Sequence, residues 1–418
     1  MTNHTKSNQR RSSTWTLPIL ALLLLQLMGG MLLSPHRTFF PVYVQQLGYS
    51  PLQVSTISTA RLVLAMVASL LGGTLSDTVG RKWTTFLGNL GFLAGSLLFL
   101  TPNLGWIGLL WALSGLGMGL RTLGSQAYLM DVAAPHALGL LTAFYNWGYT
   151  LGGALSGPLV GVLLDARGYP AFGWALILFC LPMLTVNVVM PHSRRDTQER
   201  STVGAGFLAY AGLARRRSVI LLVLIRSLPT VYWGMALVLI PLLLDGARAT
   251  KTQIALYATV SQGVASLAQL VTGRAADRFG LRTPAVTVFA VLFVSACGTG
   301  LWADNLWGVF ATGSLGAAAA WSLSTLLPSL VAQATETEER GRVLGWIHLW
   351  WNVAMILGSM LGGALLEIWT GLPFYLAGAL NVVAIGVVWV YLAQSDRTQK
   401  CDVSQTHAPT RGAGASHF

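Results

Sequence analysis

The chain has 418 residues, 54% of them hydrophobic and only 10% charged, with a mean hydropathy of +0.61. That composition excludes an ordinary soluble domain, in which about a quarter of the residues are charged. A net charge of +12 would suggest a nucleic-acid partner for a soluble protein, but a chain this apolar needs lipid as its solvent, and its basic residues then set orientation in the bilayer instead.

A helix needs about 20 apolar residues to cross about 30 Å of hydrocarbon, and twelve stretches of that kind follow one another. They are predicted at 17–43, 52–76, 82–101, 105–131, 137–164, 170–190, 218–244, 252–275, 283–302, 305–333, 342–366 and 371–394. The first runs on to Pro41 without a clear small-residue cleavage site, so it is expected to be a retained helix and not a signal peptide. After the sixth span comes a polar segment rich in Arg and Ser. The expected organisation is therefore a tail at 1–16, an N-terminal six-helix bundle at 17–190, a linker at 191–217, a C-terminal six-helix bundle at 218–394 and a tail at 395–418. With the N-terminus in the cytoplasm, the inside segments hold 19 Lys and Arg, among them Arg81, Lys82, Arg215, Arg216, Arg217 and Arg340, whereas the outside loops hold three, Arg167, Arg248 and Lys251. The asymmetry predicts a multi-pass protein of the inner cell membrane with both termini in the cytoplasm. Cys180, Cys297 and Cys401 show no paired spacing that would suggest a disulfide or a metal site.

Two loops two hundred positions apart read as versions of one another. Gly73, Asp77 and Gly80 in the first recur as Gly273, Asp277 and Gly280 in the second. At the same offset Pro41 matches Pro241, Gln53 matches Gln253 and Leu70 matches Leu270, and a shifted register matches Asn146 to Asn352 and Gly152 to Gly358. An ordered set of this length, with a charged loop in each half, reads as duplication of a six-helix unit.

The first loop carries Gly, three residues, Asp, two residues, Gly and then two basic residues, at Gly73, Asp77, Gly80, Arg81 and Lys82. On this pattern the chain resembles the major facilitator superfamily over residues 15–395, and its 12-helix drug and metabolite antiporters in particular. The second copy departs from the pattern at Leu281, where a basic residue is usual, although Arg282 follows. The resemblance implies an all-α membrane fold of twelve helices, in two six-helix bundles related by a pseudo-two-fold axis and rocking about a central site. It also implies that the loop locks the halves together on the cytoplasmic side in the outward-facing state. Asp77, Arg81 and Asp131 are assigned to this latch, Asp131 standing where the family's acid on helix 4 would be.

In the fifth span Gly153, Gly157, Pro158 and Gly161 resemble the Gly-X-X-X-Gly-Pro-X-X-Gly run of the superfamily's antiporters. Small residues at that spacing let helices approach closely and Pro bends the segment; packing in any membrane bundle would use the same residues.

Four arginines, Arg37, Arg61, Arg121 and Arg226, fall inside apolar spans, where an ionisable group costs several kcal/mol unless it is paired or wet. Arg37, Arg121 and Arg226 lie in spans that line the cavity in this family, and guanidinium suits two-point contacts with carboxylate or phosphate. Counting at about 1.5 Å per residue puts Arg37 and Arg61 toward the outside and Arg121 and Arg226 toward the inside, so that all four cannot touch one small ligand. A structural role for these arginines is the competing reading. Asn146, Asn352 and Trp321 complete the substrate-binding candidates. No carboxylate sits at mid-membrane, which leaves His348 and Glu367 as candidates for proton coupling.

The expectation is a secondary active transporter of a small organic solute, working as a proton-coupled efflux antiporter, with the lipid bilayer, the solute and protons as its partners and a monomer as its unit. Within transport, the alternative is an importer or exchanger of organic anions that uses the buried arginines. Outside it, the alternative is a non-transporting sensor or scaffold. No cofactor, metal, nucleic acid or enzymatic activity is expected: the sequence has no nucleotide loop, metal cluster or nucleophile with its base.

Overall fold

The computed structural model describes residues 15–134, 137–193, 215–335 and 339–406, and describes their side chains except at 69–74, 77, 139, 334, 341–342 and 394–406. These residues form α1 (Leu17–Gln46), α2 (Pro51–Thr78), α3 (Arg81–Leu97, prolonged by a 3-10 turn at Leu98–Leu100) and α4 (Leu104–Val132). Next comes the helical stretch Leu138–Val189, broken at Gly168, whose φ of 73° and ψ of −176° leave the helical region. Its arms are α5 (138–167) and α6 (169–189). The second half holds α7 (Arg217–Gly246), α8 (Lys251–Phe279), α9 (Arg282–Leu301), α10 (Leu306–Ala334), α11 (Arg340–Ile368) and α12 (Leu372–Thr406). The fold is thus two six-helix bundles, each helix matching one of the apolar spans in order.

Two local details differ from the spans. The expected loop between the fifth and sixth shrinks to one left-handed residue, because glycine pays no Cβ penalty at positive φ. The last helix runs on to Thr406, since nothing from Gln394 to Thr406 is Pro or Gly and only those would stop it. Most of the linker and the outer parts of both tails lie outside the described residues.

The helices of the two halves begin and end alike. Ser50 and Thr250 each accept a hydrogen bond from the backbone of Gln53 and Gln253, whose side chains accept in return from the cap backbone. The Gln53–Gln253 match is therefore a pair of capping boxes. Asn103 and Asn305 cap α4 and α10 in the same way, accepting from Trp106 and Gly308. Gly80 and Gly280 turn the chain after α2 and α8 at φ 96° and 74°, a conformation that L side chains rarely adopt.

Packing repeats too. A Cβ on Gly152 of α5 would overlap the Leu27 carbonyl of α1, and one on Gly358 of α11 would overlap the Val231 carbonyl of α7. These equivalent crossings bring backbone against backbone, which is how helices associate where lipid removes the hydrophobic drive between them. Between the halves, α5 packs on α8 and α2 on α11.

Candidate functional site

A cavity of about 340 Å³ lies between the halves. One wall comes from α1, α2, α4 and α5 and presents Arg37, Arg61 and Arg121 beside Gln26, Tyr145 and Tyr149. The other comes from α7, α10 and α11 and presents Trp233, Trp321, Trp351 and Asn352. Among its described lining residues there is no Asp or Glu. Gln126 on α4 and Asn146 on α5 are exposed while lining it, so the cavity is open toward the end of the bundle that carries the Gly80 and Gly280 turns. A second hollow of about 100 Å³ continues from it past Arg37, Tyr149, Trp233 and Trp321.

The three arginines are held differently. Arg121 is 6% exposed and committed to protein: Nε donates to Asn89 Oδ1 at 3.0 Å, and Nη2 donates to Gln26 Oε1 at 2.6 Å and to the Leu25 carbonyl at 3.1 Å. Asn89 in turn donates to Asn187 Oδ1 at 2.6 Å, so a polar chain ties α1, α3, α4 and α6 around one cation. Arg61, also 6% exposed, lies 4.4 Å over the ring of Trp111 and donates Nη2 to Met118 Sδ at 3.4 Å, while its Nε has no acceptor. A desolvated contact over Trp contributes about 2 kcal/mol, which offsets only part of the cost of burying the charge. Arg37 is partly buried, and no hydrogen bond or ion pair to it is found among the described residues. Its guanidinium therefore faces the cavity with its donors unspent.

The other sequence candidates fall in several places. Trp321 and Asn352 line the main cavity, as does Asn146 at its open end. Arg226 lies outside it, in an adjoining hollow of about 60 Å³, where Nη1 donates to Ser324 Oγ at 3.1 Å and the guanidinium stands 5.8 Å from the Trp351 ring. His348 stacks on Trp351 with centroids 5.0 Å apart, and its carbonyl accepts from Asn352 Nδ2. Glu367 is remote from the cavity, at the far end of α11. Arg61, Gln26, Tyr145 and Trp233 were not among the substrate-binding candidates. A polar amide within the otherwise apolar first span is the signal that points to Gln26.

At the open end, Arg81 Nε donates to Asp131 Oδ2 at 3.3 Å and Nη1 to Ser76 Oγ at 3.0 Å. Gly73 and Asp77, expected to complete this cluster, are in α2 but outside the described side chains. In the second copy Asp277 is exposed, with no ion pair among the described residues, and Gly273 has only Thr325 near where a Cβ would stand.

At the opposite end the halves are stitched together. Asp165, near the end of α5, accepts from the first backbone N–H groups of α8 at Lys251 (2.8 Å) and Thr252 (2.9 Å) and from the Thr252 hydroxyl. Glu367, at the end of α11, accepts from Leu52 N in the first turn of α2 at 3.1 Å. Both are acids at helix N-termini, where the dipole favours them. Gln46 donates to Asp245, and Thr259 to the Ala154 carbonyl. The glycine run of α5 lies on this seam: a Cβ on Gly157 would overlap Thr259 Oγ1, one on Gly161 would come within 2.5 Å of Thr252 Cα, and Gly153 faces Ser34 of α1. Pro158 is exposed between them.

The sequence matches the Major Facilitator Superfamily over residues 20–248 and 223–414. Over 390 residues it is 25% identical to the uncharacterized MFS-type transporter YcaD of Salmonella heidelberg (strain SL476), covering 91% of this chain and 95% of that one. A shorter match, 36% identical over 134 residues, is to the human solute carrier family 2, facilitated glucose transporter member 10; it covers 31% of this chain and only 24% of that protein. The structure of the nucleoside transporter NupG superposes with a TM-score of 0.71 over 91% of this chain and 99% of that one at 14% identity, a likeness of fold alone.

Proposed function

Because the chain belongs to the major facilitator superfamily, we propose that it carries a small amphipathic organic anion across the membrane by alternating access, with the termini and the Gly80 and Gly280 turns in the cytoplasm. The observation that carries this reading is a cavity with three arginines and no acid among its described lining, one of the arginines having unspent donors. Uncompensated cations in a low-dielectric hollow favour a ligand that brings the negative charge. Arg37 takes the anionic group in two-point contact, Arg61 adds charge behind it, and Arg121 positions the wall through Asn89 and Gln26. Trp233, Trp321 and Trp351 hold the apolar body.

The cavity is open at the loop end and the halves are stitched at the other, so this conformer is the inward-open partner of the cycle. Reversal requires parting the Asp165 and Glu367 caps and closing the loop end, where the Arg81–Asp131 pair, already formed within the N-terminal half, holds the α2–α3 turn that would meet the other half. Counterflow in proteoliposomes tests the anion reading with an aromatic carboxylate, its neutral amide and the corresponding amine. The carboxylate alone is expected to exchange, and Arg37→Gln to lower its flux by about tenfold with the melting temperature unchanged. Equal exchange of the amide overturns the reading.

Export against a proton gradient is the second reading. It draws on the α5 glycine run at the sliding seam and on His348, stacked on the cavity residue Trp351. Substrate-driven proton movement that disappears in His348→Asn supports it; proton-free exchange removes it.

A further inference from the structure

The hollow of about 60 Å³ that adjoins the central cavity is built within the C-terminal half, by α7, α10 and Trp351 of α11. Arg226, Thr230, Ser324 and Trp321 are among its lining, and no Asp or Glu is. Its donors outnumber what is there to receive them. Arg226 Nη1 donates to Ser324 Oγ at 3.1 Å, and no ion pair to Arg226 is found among the described residues. Because Ser324 Oγ accepts in that bond, its own O–H is left to donate. Trp321 Nε1 is buried with no hydrogen-bond partner, and an indole N–H can only donate. Thr230 is otherwise engaged, its hydroxyl donating to the Arg226 carbonyl at 2.6 Å. The Trp351 ring centroid lies 5.8 Å from the guanidinium, near the limit at which an aromatic face attracts a cation, so it offsets little of the charge.

A guanidinium, a hydroxyl and an indole N–H thus border one small space that holds no carboxylate. Liquid water takes about 30 Å³ per molecule, so the space is that of about two waters. Two waters would accept from these donors and still leave a cation without a counter-charge in a low-dielectric interior. An anion of a few heavy atoms meets both needs, and a planar oxyanion matches the paired N–H groups of the guanidinium fork. The organic body that the central cavity would take does not fit there.

We infer that this hollow binds a small monovalent anion of the formate, nitrate or bicarbonate kind, seated on Arg226, Ser324 and Trp321 and separate from the Arg37 side of the central cavity. The site stands whatever the central cavity carries. Trp321 and Trp351 line both spaces, so a bound anion backs the aromatic wall of the cavity and its occupancy reaches the cavity through them.

Titration calorimetry and thermal unfolding of the full-length protein in detergent test this, with nitrate and formate as probes and gluconate, too large for the hollow, as the anion that keeps ionic strength constant. Both probes are expected to bind and to raise the melting temperature where gluconate does not. Arg226→Gln is expected to abolish the effect, Trp321→Phe, which keeps a ring and removes the N–H, to weaken binding by about three- to tenfold, and Arg37→Gln to leave it unchanged. In gluconate alone Arg226→Gln is expected to melt no lower than the wild type, because a cation without a counter-charge has been removed. If that variant does not fold, Trp321→Phe and Ser324→Ala carry the test, each with weakened binding expected. The inference is overturned if neither probe binds in excess of gluconate, if Trp321→Phe and Ser324→Ala bind as the wild type does, or if Arg37→Gln abolishes binding, which assigns the anion to the central cavity instead.

Discussion

The two halves share a frame and differ in charge. At the offset of 200, Arg37 corresponds to Leu237 and Arg61 to Ser261; with the equivalent starts of α4 and α10 aligned, Arg121 corresponds to Leu323. The N-terminal half thus presents three arginines and the C-terminal half three of the four lining tryptophans to one cavity, Trp111 beneath Arg61 being the fourth. In the other direction Gln26 corresponds to Arg226, and each stays within its own half, Gln26 on Arg121 and Arg226 on Ser324. Residues that build helices and turns recur because both halves must solve the same folding problem. Residues that line the cavity diverge, as the proposed ligand, charged at one end and apolar along its body, would require.

The largest break in this comparison is expected from Arg121→Met, which strands Asn89 and Gln26 at the centre of the N-terminal half. It should destabilise by about 3 kcal/mol in thermal unfolding, whereas Leu323→Met at the corresponding C-terminal position should cost less than about 1 kcal/mol. Similar losses at both positions would mean that the arginine network does not organise its half. Next, Trp321→Ala is expected to raise KM for an aromatic anion by about five- to tenfold and for a small aliphatic anion by less than about twofold, as measured by counterflow. An equal change for both substrates would remove the aromatic wall from the account.

Smaller effects sharpen the contrast between the two acid caps. Asp165 accepts from two backbone N–H groups and a hydroxyl across the halves, whereas Glu367 accepts from Leu52 N with the Ser50 hydroxyl beside it. Asp165→Asn should therefore shift the conformers toward opening at that end by about 1–2 kcal/mol and Glu367→Gln by less, read from spin-label distances between the ends of α5 and α8 and of α11 and α2. The reverse order would show that hydrogen-bond number does not set the strength of these contacts. The smallest effect tests the shared frame: Gly80→Ala and Gly280→Ala should each cost about 1 kcal/mol through the positive φ, and by nearly the same amount.

The apolar spans, the basic asymmetry and the Gly73–Lys82 pattern made the twelve helices, their order and the duplication legible, because hydrocarbon thickness dictates helix length whatever the neighbours are. The matches at Gln53, Gly80 and Gly152 are visible in the sequence as repeats, and in the structure they are a capping box, a left-handed turn and a close helix crossing. The site was less legible. Arg37, Arg121, Trp321 and Asn352 are candidates from their spans, but the distinction among Arg121 bonded to Asn89, Arg61 over Trp111 and Arg37 with donors unspent depends on residues of other helices, 32 to 96 positions away in the chain.

By itself the sequence determined that this chain lies in lipid, how many times it crosses, and that its two halves descend from one plan, since each of these follows from local apolarity and spacing along the chain. Only the tertiary structure decided which buried cations have their donors taken up by neighbours and that the acids of α5 and α11 cap helices of the opposite half. The physical reason is that a charge's cost depends on the atoms around it in space, and in a bundle of long helices those atoms come from distant positions in the chain.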